Sequence, residues 1–231
     1  MSEEPRSAQP GAEPILPHLY RVADTCNSYC IVSERRGLLI DCGAGAPTRL
    51  RESMGISDFD ACLFTHHHRD VCQGAPLLAK MGVPLLVPEH ERHLFEDAEL
   101  HWLTRRVYDS YNDRSTYNSL VEAVPVAESL EDYSTYPWRD YELRILATPG
   151  HTWGSQSFLV EIDGQRVAFV GDLLRDGGRL HTLHDTEYSY GGWEGLVQTH
   201  LSVCNLIREA PDLVCPAHGE PFADPIPQLE Q

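Results

Sequence analysis

Short apolar runs closed by polar or turn-forming residues recur along the chain and read as strands. Leu19–Val22, Tyr29–Ser33 and Leu38–Asp41 form a first succession, followed by Ala61–Phe64, which ends at Thr65, and by Val83–Val87. A second group comprises Tyr141–Ala147, Gln156–Ile162 and Arg166–Val170, with Asp163-Gly164 as the hairpin turn between the last two. Leu213–Cys215 is a final strand. Helical spacing governs Pro47 to Met54, with proline near its start, and Gly74–Met81. Trp193–Glu209 is amphipathic at the same spacing and places Leu196, Val197, His200, Leu201, Cys204 and Ile207 toward one side. Strands in two groups with helices between them predict two packed sheets flanked by helices.

Two stretches fall outside this pattern. Residues 1–17 are polar and Pro-rich and read as a flexible N-terminal arm, with one domain spanning residues 18–231. Within it, Glu89–Leu120 is rich in charge and aromatic residues, among them His93, Phe95, His101, Trp102, Tyr108, Tyr111 and Tyr117. It reads as a helical insertion of one or two helices. A lid over a pocket, an outer helix pair and an oligomer contact are all compatible with it.

The candidate chemistry sits where the strand-like runs stop. Four pieces follow such runs: Thr65-His66-His67-His68-Arg69-Asp70, Thr148-Pro149-Gly150-His151-Thr152, Gly171-Asp172 and Pro216-Ala217-His218-Gly219. Alternate residues of extended backbone face the same side, so His66, His68 and Asp70 share one side while His67 and Arg69 face away. Ligands at the ends of adjacent strands can converge on one point. His and Asp bind zinc or iron while leaving room for water.

In this order the pieces resemble the pattern of the metallo-β-lactamase-fold metallohydrolases: Thr-His-x-His-x-Asp-His, Pro-Gly-His-Thr, Gly-Asp and a late Ser/Ala-His-Gly. The resemblance runs from about Leu19 to Phe222 and includes an early strand ending in Asp-x-Gly, here Asp41-Cys42-Gly43. It implies an α+β fold, the four-layer αββα sandwich, with metal at one edge of the two sheets. It also implies His66, His68 and His151 as the first metal site, Asp172 as a bridge, and Asp70 and His218 in the second. Asp41 would be an outer support of the ligands; a strand-end turn residue is the other reading. One position departs: Val71 stands where the family has its sixth ligand, so occupation of the second site is open. His67, Cys72, His181 and His184 are candidate substitutes. Cysteine is also a common small core residue.

Composition narrows the partners. The net charge of −17 argues against nucleic-acid phosphates and anionic membranes as general partners. The metal's own charge still admits an anionic small-molecule substrate. Seven scattered cysteines do not form a disulfide framework. Without an apolar signal core or a membrane-length apolar run, a cytoplasmic location is expected. A homo-oligomer remains open.

The expected cofactor is zinc, as one or two ions, with iron or manganese as alternatives. Zinc held by three His keeps a position for water and lowers its pKa to about 7. Asp70 and Asp172 are the candidate catalytic residues, placed to orient that water or relay its proton. The expected reaction is hydrolysis of an ester, thioester, lactone or phosphoester. The loop Leu173–Gly192, attached to Asp172, supplies candidate substrate contacts in Arg175, His181 and Tyr188. Two rivals stand beside this. One is a mononuclear iron oxidoreductase resembling persulfide dioxygenases, with His66, His151 and Asp172 on the metal. The other is a non-catalytic metal-binding protein on the same fold.

Overall fold

Apolar runs pair largely in sequence order. Glu13–Leu16 (β1), Leu19–Ala23 (β2), Asn27–Ser33 (β3) and Arg36–Ile40 (β4) form an antiparallel meander. Asp58–Leu63 (β5), Leu85–Pro88 (β6) and Glu128–Leu130 (β7) then add in parallel, giving a sheet in simple order from β1 to β7. The second sheet begins with an antiparallel meander of Thr135–Trp138 (β8), Tyr141–Ala147 (β9), Gln156–Ile162 (β10) and Gln165–Gly171 (β11). Leu213–Pro216 (β12) joins parallel to β11, and Phe222–Ala223 (β13) closes the edge. This is the computed structural model of the chain, and it describes residues 11–98, 122–180 and 194–229.

The two-residue period of a strand sorts the core into layers. Leu38 and Ile40 of β4 point between the sheets, where they join Tyr29, Phe158 and Phe169. Leu39, between them, points outward and packs with Cys62, Leu50 and Leu78. That outer layer is covered by Ala46–Met54 (α1), Arg69–Cys72 (α2), Ala75–Lys80 (α3) and Arg92–Glu96 (α4). Beyond the second sheet, Leu159, Ala168 and Val170 pack against Leu206 of Glu194–Glu209 (α5) and Leu229 of Ile226–Leu229 (α6). Helices, sheet, sheet, helices is the four-layer αββα sandwich. No helix among the described residues is long and apolar enough to cross a membrane.

Three sequence expectations can be set against this fold. The N-terminal arm expected to reach Pro17 contributes β1, whose Glu13 stands opposite Arg21 and accepts from its guanidinium; residues 1–10 lie outside the described residues. Of the insertion expected over Glu89–Leu120, the described part is a 3₁₀ turn, Glu89–Glu91, followed by α4; residues 99–121 lie outside. The third, the face of the helix α5, does change. Its buried residues are Gly195, Thr199, Ser202 and Leu206, whereas Leu196, Val197 and Leu201 are 42%, 39% and 51% exposed. Close backbone approach overrides the apolar period here. Ser202 Oγ donates to the Pro149 carbonyl at 2.7 Å, and Gly150 sits so near the helix that a Cβ would fall 2.9 Å from the Thr199 nitrogen. Gly150 also has φ +150°, which favours glycine. Small polar residues let the helix approach; leucines there would hold it away.

Candidate metal centre

Because β4 and β5 are parallel, and β9, β11 and β12 run the same way in the second sheet, their C-terminal ends share one edge of the sandwich. Asp41 follows β4, His66 and His68 follow β5, His151 follows β9, Asp172 follows β11 and His218 follows β12. Two local features tighten the edge. Gly171 lets the end of β11 pass so close to Thr65 that a Cβ would fall 2.6 Å from Thr65 Oγ1. The His218 turn is tied to the first sheet by Asn27 Nδ2, which donates to the Pro216 carbonyl at 3.0 Å, and by Tyr29 Oη, which donates to the same carbonyl at 2.8 Å.

The six motif residues come together as two triplets. The ligand atoms of His66, His68 and His151 lie within 4.8 Å of one another, and so do those of Asp70, Asp172 and His218. His68 Nδ1 is 2.8 Å from His151 Nε2. Asp172 joins the triplets: Oδ2 lies 3.6 Å from His66 Nε2 and 3.5 Å from His151 Nε2, while Oδ1 lies 2.7 Å from His218 Nδ1. Asp70 Oδ2 is 3.2 Å from His218 Nε2.

The hydrogen bonds fix how His66 presents itself. Asp41 accepts from the Thr65 N–H at 2.8 Å and from the Thr65 hydroxyl at 2.9 Å. With Asp41 ionised, as a cation at the centre would keep it, the Thr65 hydroxyl gives its single proton to Asp41 and Oγ1 accepts from His66 Nδ1–H, 3.1 Å away. His66 Nε2 then carries a lone pair toward the other imidazoles. It is buried with no hydrogen-bond partner, a costly state unless a cation sits there. Burial, assisted by His151, pushes the His66 pKa down to about 4, so the ring is neutral and ligand-ready at neutral pH. A buried ring nitrogen in want of a partner, beside two more imidazoles and a carboxylate, suits a divalent cation. Asp41 thus does more than close a turn: it supports His66 through Thr65.

The second triplet holds itself together by charge. Burial opposes protonation of His218, yet its bonds to Asp172 and Asp70 raise its pKa to about 11. Burial likewise opposes ionisation of Asp172, but the His218 bond and the nearby His151 and His66 rings hold it well below the usual carboxylate range. Burial lifts Asp41 to about 8 against its two Thr65 donors, with Asp172 and Asp70 adding to the rise; a cation at the centre would act the other way.

No substitute for the missing sixth ligand stands among the described residues. Val71, next to Asp70, is fully buried and packs on Cys26 and on Ala217, the neighbour of His218. Cys72 donates its S–H to the His68 carbonyl at 2.9 Å, and burial raises its pKa well above the ordinary thiol value. His67 Nδ1 is engaged with Glu91 Oε2 at 3.0 Å. His181, His184 and Tyr188 lie outside the described residues. Arg175 begins a tight turn after Asp172, its N–H donating to the Arg179 carbonyl at 2.7 Å.

Two participants escape a reading of the sequence. Thr65 reads there as a strand end rather than the link from Asp41 to His66. Glu91 is lost in a charged stretch, although it follows β6, the neighbour of β5, whose end leads into His66 and His68 at the same sheet edge. That placement is the available signal.

The chain belongs to the metallo-beta-lactamase superfamily, whose family model matches residues 21–218. It is 28% identical over 208 residues to a probable metallo-hydrolase of Methanocaldococcus jannaschii, covering 84% of this chain and 87% of that one. It is 25% identical over 150 residues to a hydroxyacylglutathione hydrolase of Aeromonas salmonicida, covering 65% of this chain and 47% of the relative. In structure it is similar to a metallo-beta-lactamase family protein of Thermus thermophilus, with TM-score 0.71, 21% identity, and coverage of 94% of this chain and 78% of that one; at that identity the likeness shows the fold. A divalent-metal site of the superfamily fits the two triplets.

Proposed function

We propose that the protein is a zinc-dependent hydrolase of a small ester, thioester, lactone or phosphoester. The first ion would be held by His66, His68 and His151, with Asp172 reaching both triplets. The observation that carries this reading is the meeting of three imidazole nitrogens, those of His66 and His151 also lying 3.6 and 3.5 Å from the Asp172 carboxylate, with His66 Nε2 buried without a hydrogen-bond partner. When bound, such a cation polarises a carbonyl or phosphoryl oxygen and lowers the pKa of water to about 7.

The protein's own residues supply the rest. Asp172, held ionised, anchors His218 through one oxygen and faces the first triplet with the other. Asp70, partly exposed and within reach of His218, is the acceptor for a proton leaving the attacking water and the route by which it returns to the leaving group. Arg175, just past Asp172, is the cationic candidate for a substrate carboxylate or oxyanion. With Val71 in place of a sixth ligand, the working centre is mainly mononuclear. The net charge of −17 favours a small molecule over a nucleic acid as substrate. The names of the two relatives, both hydrolases, favour hydrolysis over oxygen chemistry.

The test is metal analysis of protein purified without added metal, followed by an ester, thioester, lactone and phosphoester panel. Zinc with chelator-sensitive turnover supports the reading. Iron with thiol-dependent oxygen uptake and no hydrolysis would replace it. Tightly bound metal with no turnover on any substrate class would favour the binding protein.

A further inference from the structure

Glu91 is a charged residue that the centre's six motif residues do not explain. It is 2% exposed, an expensive place for a carboxylate unless every oxygen is satisfied. Oε2 lies 3.0 Å from His67 Nδ1, and Oε1 accepts from the Gly154 N–H at 3.1 Å. The Thr152 hydroxyl also bonds it. His67 is flanked by His66 and His68, and Thr152 follows His151, so the partners of this one side chain sit beside all three imidazoles of the first triplet.

We infer that Glu91 is the positioning residue of the first metal site, a buried strut that sets the separation of the His66–His68 segment and the His151 loop. The inference rests on the metal reading of that triplet but not on the reaction. His67 is the first link: it faces away from the centre, as extended backbone requires of the residue between two ligands, and its Nδ1–H donates to Glu91. Gly154 is the second. A Cβ on it would fall 2.5 Å from Glu91 Cγ and 3.1 Å from His90 Cβ, so the approach of the His151 loop to Glu91 needs glycine. Burial works against ionisation of Glu91, but the charge and hydrogen bond of His67 bring its pKa down to about 2, and it stays an acceptor at any ordinary pH. Glu91 touches neither substrate nor metal; it acts through the segments that carry the ligands.

The experiment compares wild type, Glu91→Gln, Glu91→Ala, His67→Gln and Gly154→Ala. Zinc affinity is read by competition with a chromophoric chelator, and cobalt(II)-loaded protein gives a visible spectrum that reports ligand geometry. Circular dichroism of the chelated proteins gives Tm. Outer supports of metal ligands are worth about 10–100-fold in affinity. Glu91→Ala should lose about that much and shift the cobalt bands, at temperatures far below its Tm. Glu91→Gln keeps the volume and one acceptor oxygen, so it should fall between. His67→Gln and Gly154→Ala break the two ends separately and should each weaken zinc. Wild-type affinity and unchanged cobalt bands in Glu91→Gln and His67→Gln would overturn the inference, and these near-isosteric changes decide it even where Glu91→Ala fails to fold. If wild-type protein itself binds no zinc or cobalt, the metal reading has failed instead.

Discussion

Asp172 Oδ1 lies 2.7 Å from His218 Nδ1, and this contact joins the two halves of the centre. His218 also reaches Asp70, so one imidazolium bridges two carboxylates that a second cation would otherwise bind.

That second cation must displace the His218 proton, which in the metal-free protein is held to about pKa 11 by hydrogen bonds that outweigh burial and which a first cation beside Asp172 would loosen. The second equivalent of zinc should therefore bind more weakly than the first. Its affinity should rise by about tenfold per pH unit between about pH 7 and about pH 9, one proton being released per ion. Calorimetric titration in two buffers of different ionisation enthalpy measures both quantities. Two tight equivalents at neutral pH with no proton release would contradict this and would require a ligand replacing the one lost at Val71.

The same raised pKa makes a claim about stability after chelation. His218 has an ordinary pKa of 6.5 that rises to about 11 in the fold. A raised pKa stabilises the fold fully below the unfolded value, and that contribution is lost as the pH climbs through the folded value. The Tm gap between chelated wild type and chelated His218→Asn should be widest at and below pH 6.5 and close toward pH 11. A gap that widens with rising pH would have the wrong sign.

Asp70 belongs to the second triplet and is the proposed proton carrier. Asp70→Asn should lower kcat by about 10²–10⁴-fold while the first zinc equivalent stays bound. Steady-state kinetics beside zinc analysis separates the two effects. Loss of both equivalents would make Asp70 a support of the first site rather than a proton carrier.

The face of α5 gives a test away from the chemistry. Leu206 is fully buried, so Leu206→Ala should cost about 2–5 kcal/mol. Leu201 is 51% exposed, so Leu201→Gln should change stability by less than about 0.5 kcal/mol. Denaturant unfolding of both variants decides between this face and the one its apolar spacing predicts.

The strand-end motifs are legible in the sequence because each ligand closes an apolar run, and parallel neighbours bring those ends to one edge. His66, His68, His151, Asp172 and His218 are reachable in this way; Asp70 is not, since it lies in α2 rather than in extended backbone and joins Asp172 and His218 instead of sharing a side with His66 and His68. The short strands β7 and β8 are not, since three or four residues with Pro137 among them carry little apolar period. The buried face of α5 departs from its apolar spacing because small residues serve close approach to Pro149 and Gly150, a relation between distant segments. Glu91 is hidden for the same reason: its partners lie 24 and 63 residues away.

The most direct measurement of the central claim is turnover of metal-free protein titrated with zinc, run beside His66→Ala and His151→Ala. The account predicts no hydrolysis without metal, activity that rises with the first equivalent and levels near one, and neither bound zinc nor activity in the two variants. Hydrolysis by the metal-free protein, or full activity in either variant, would contradict it.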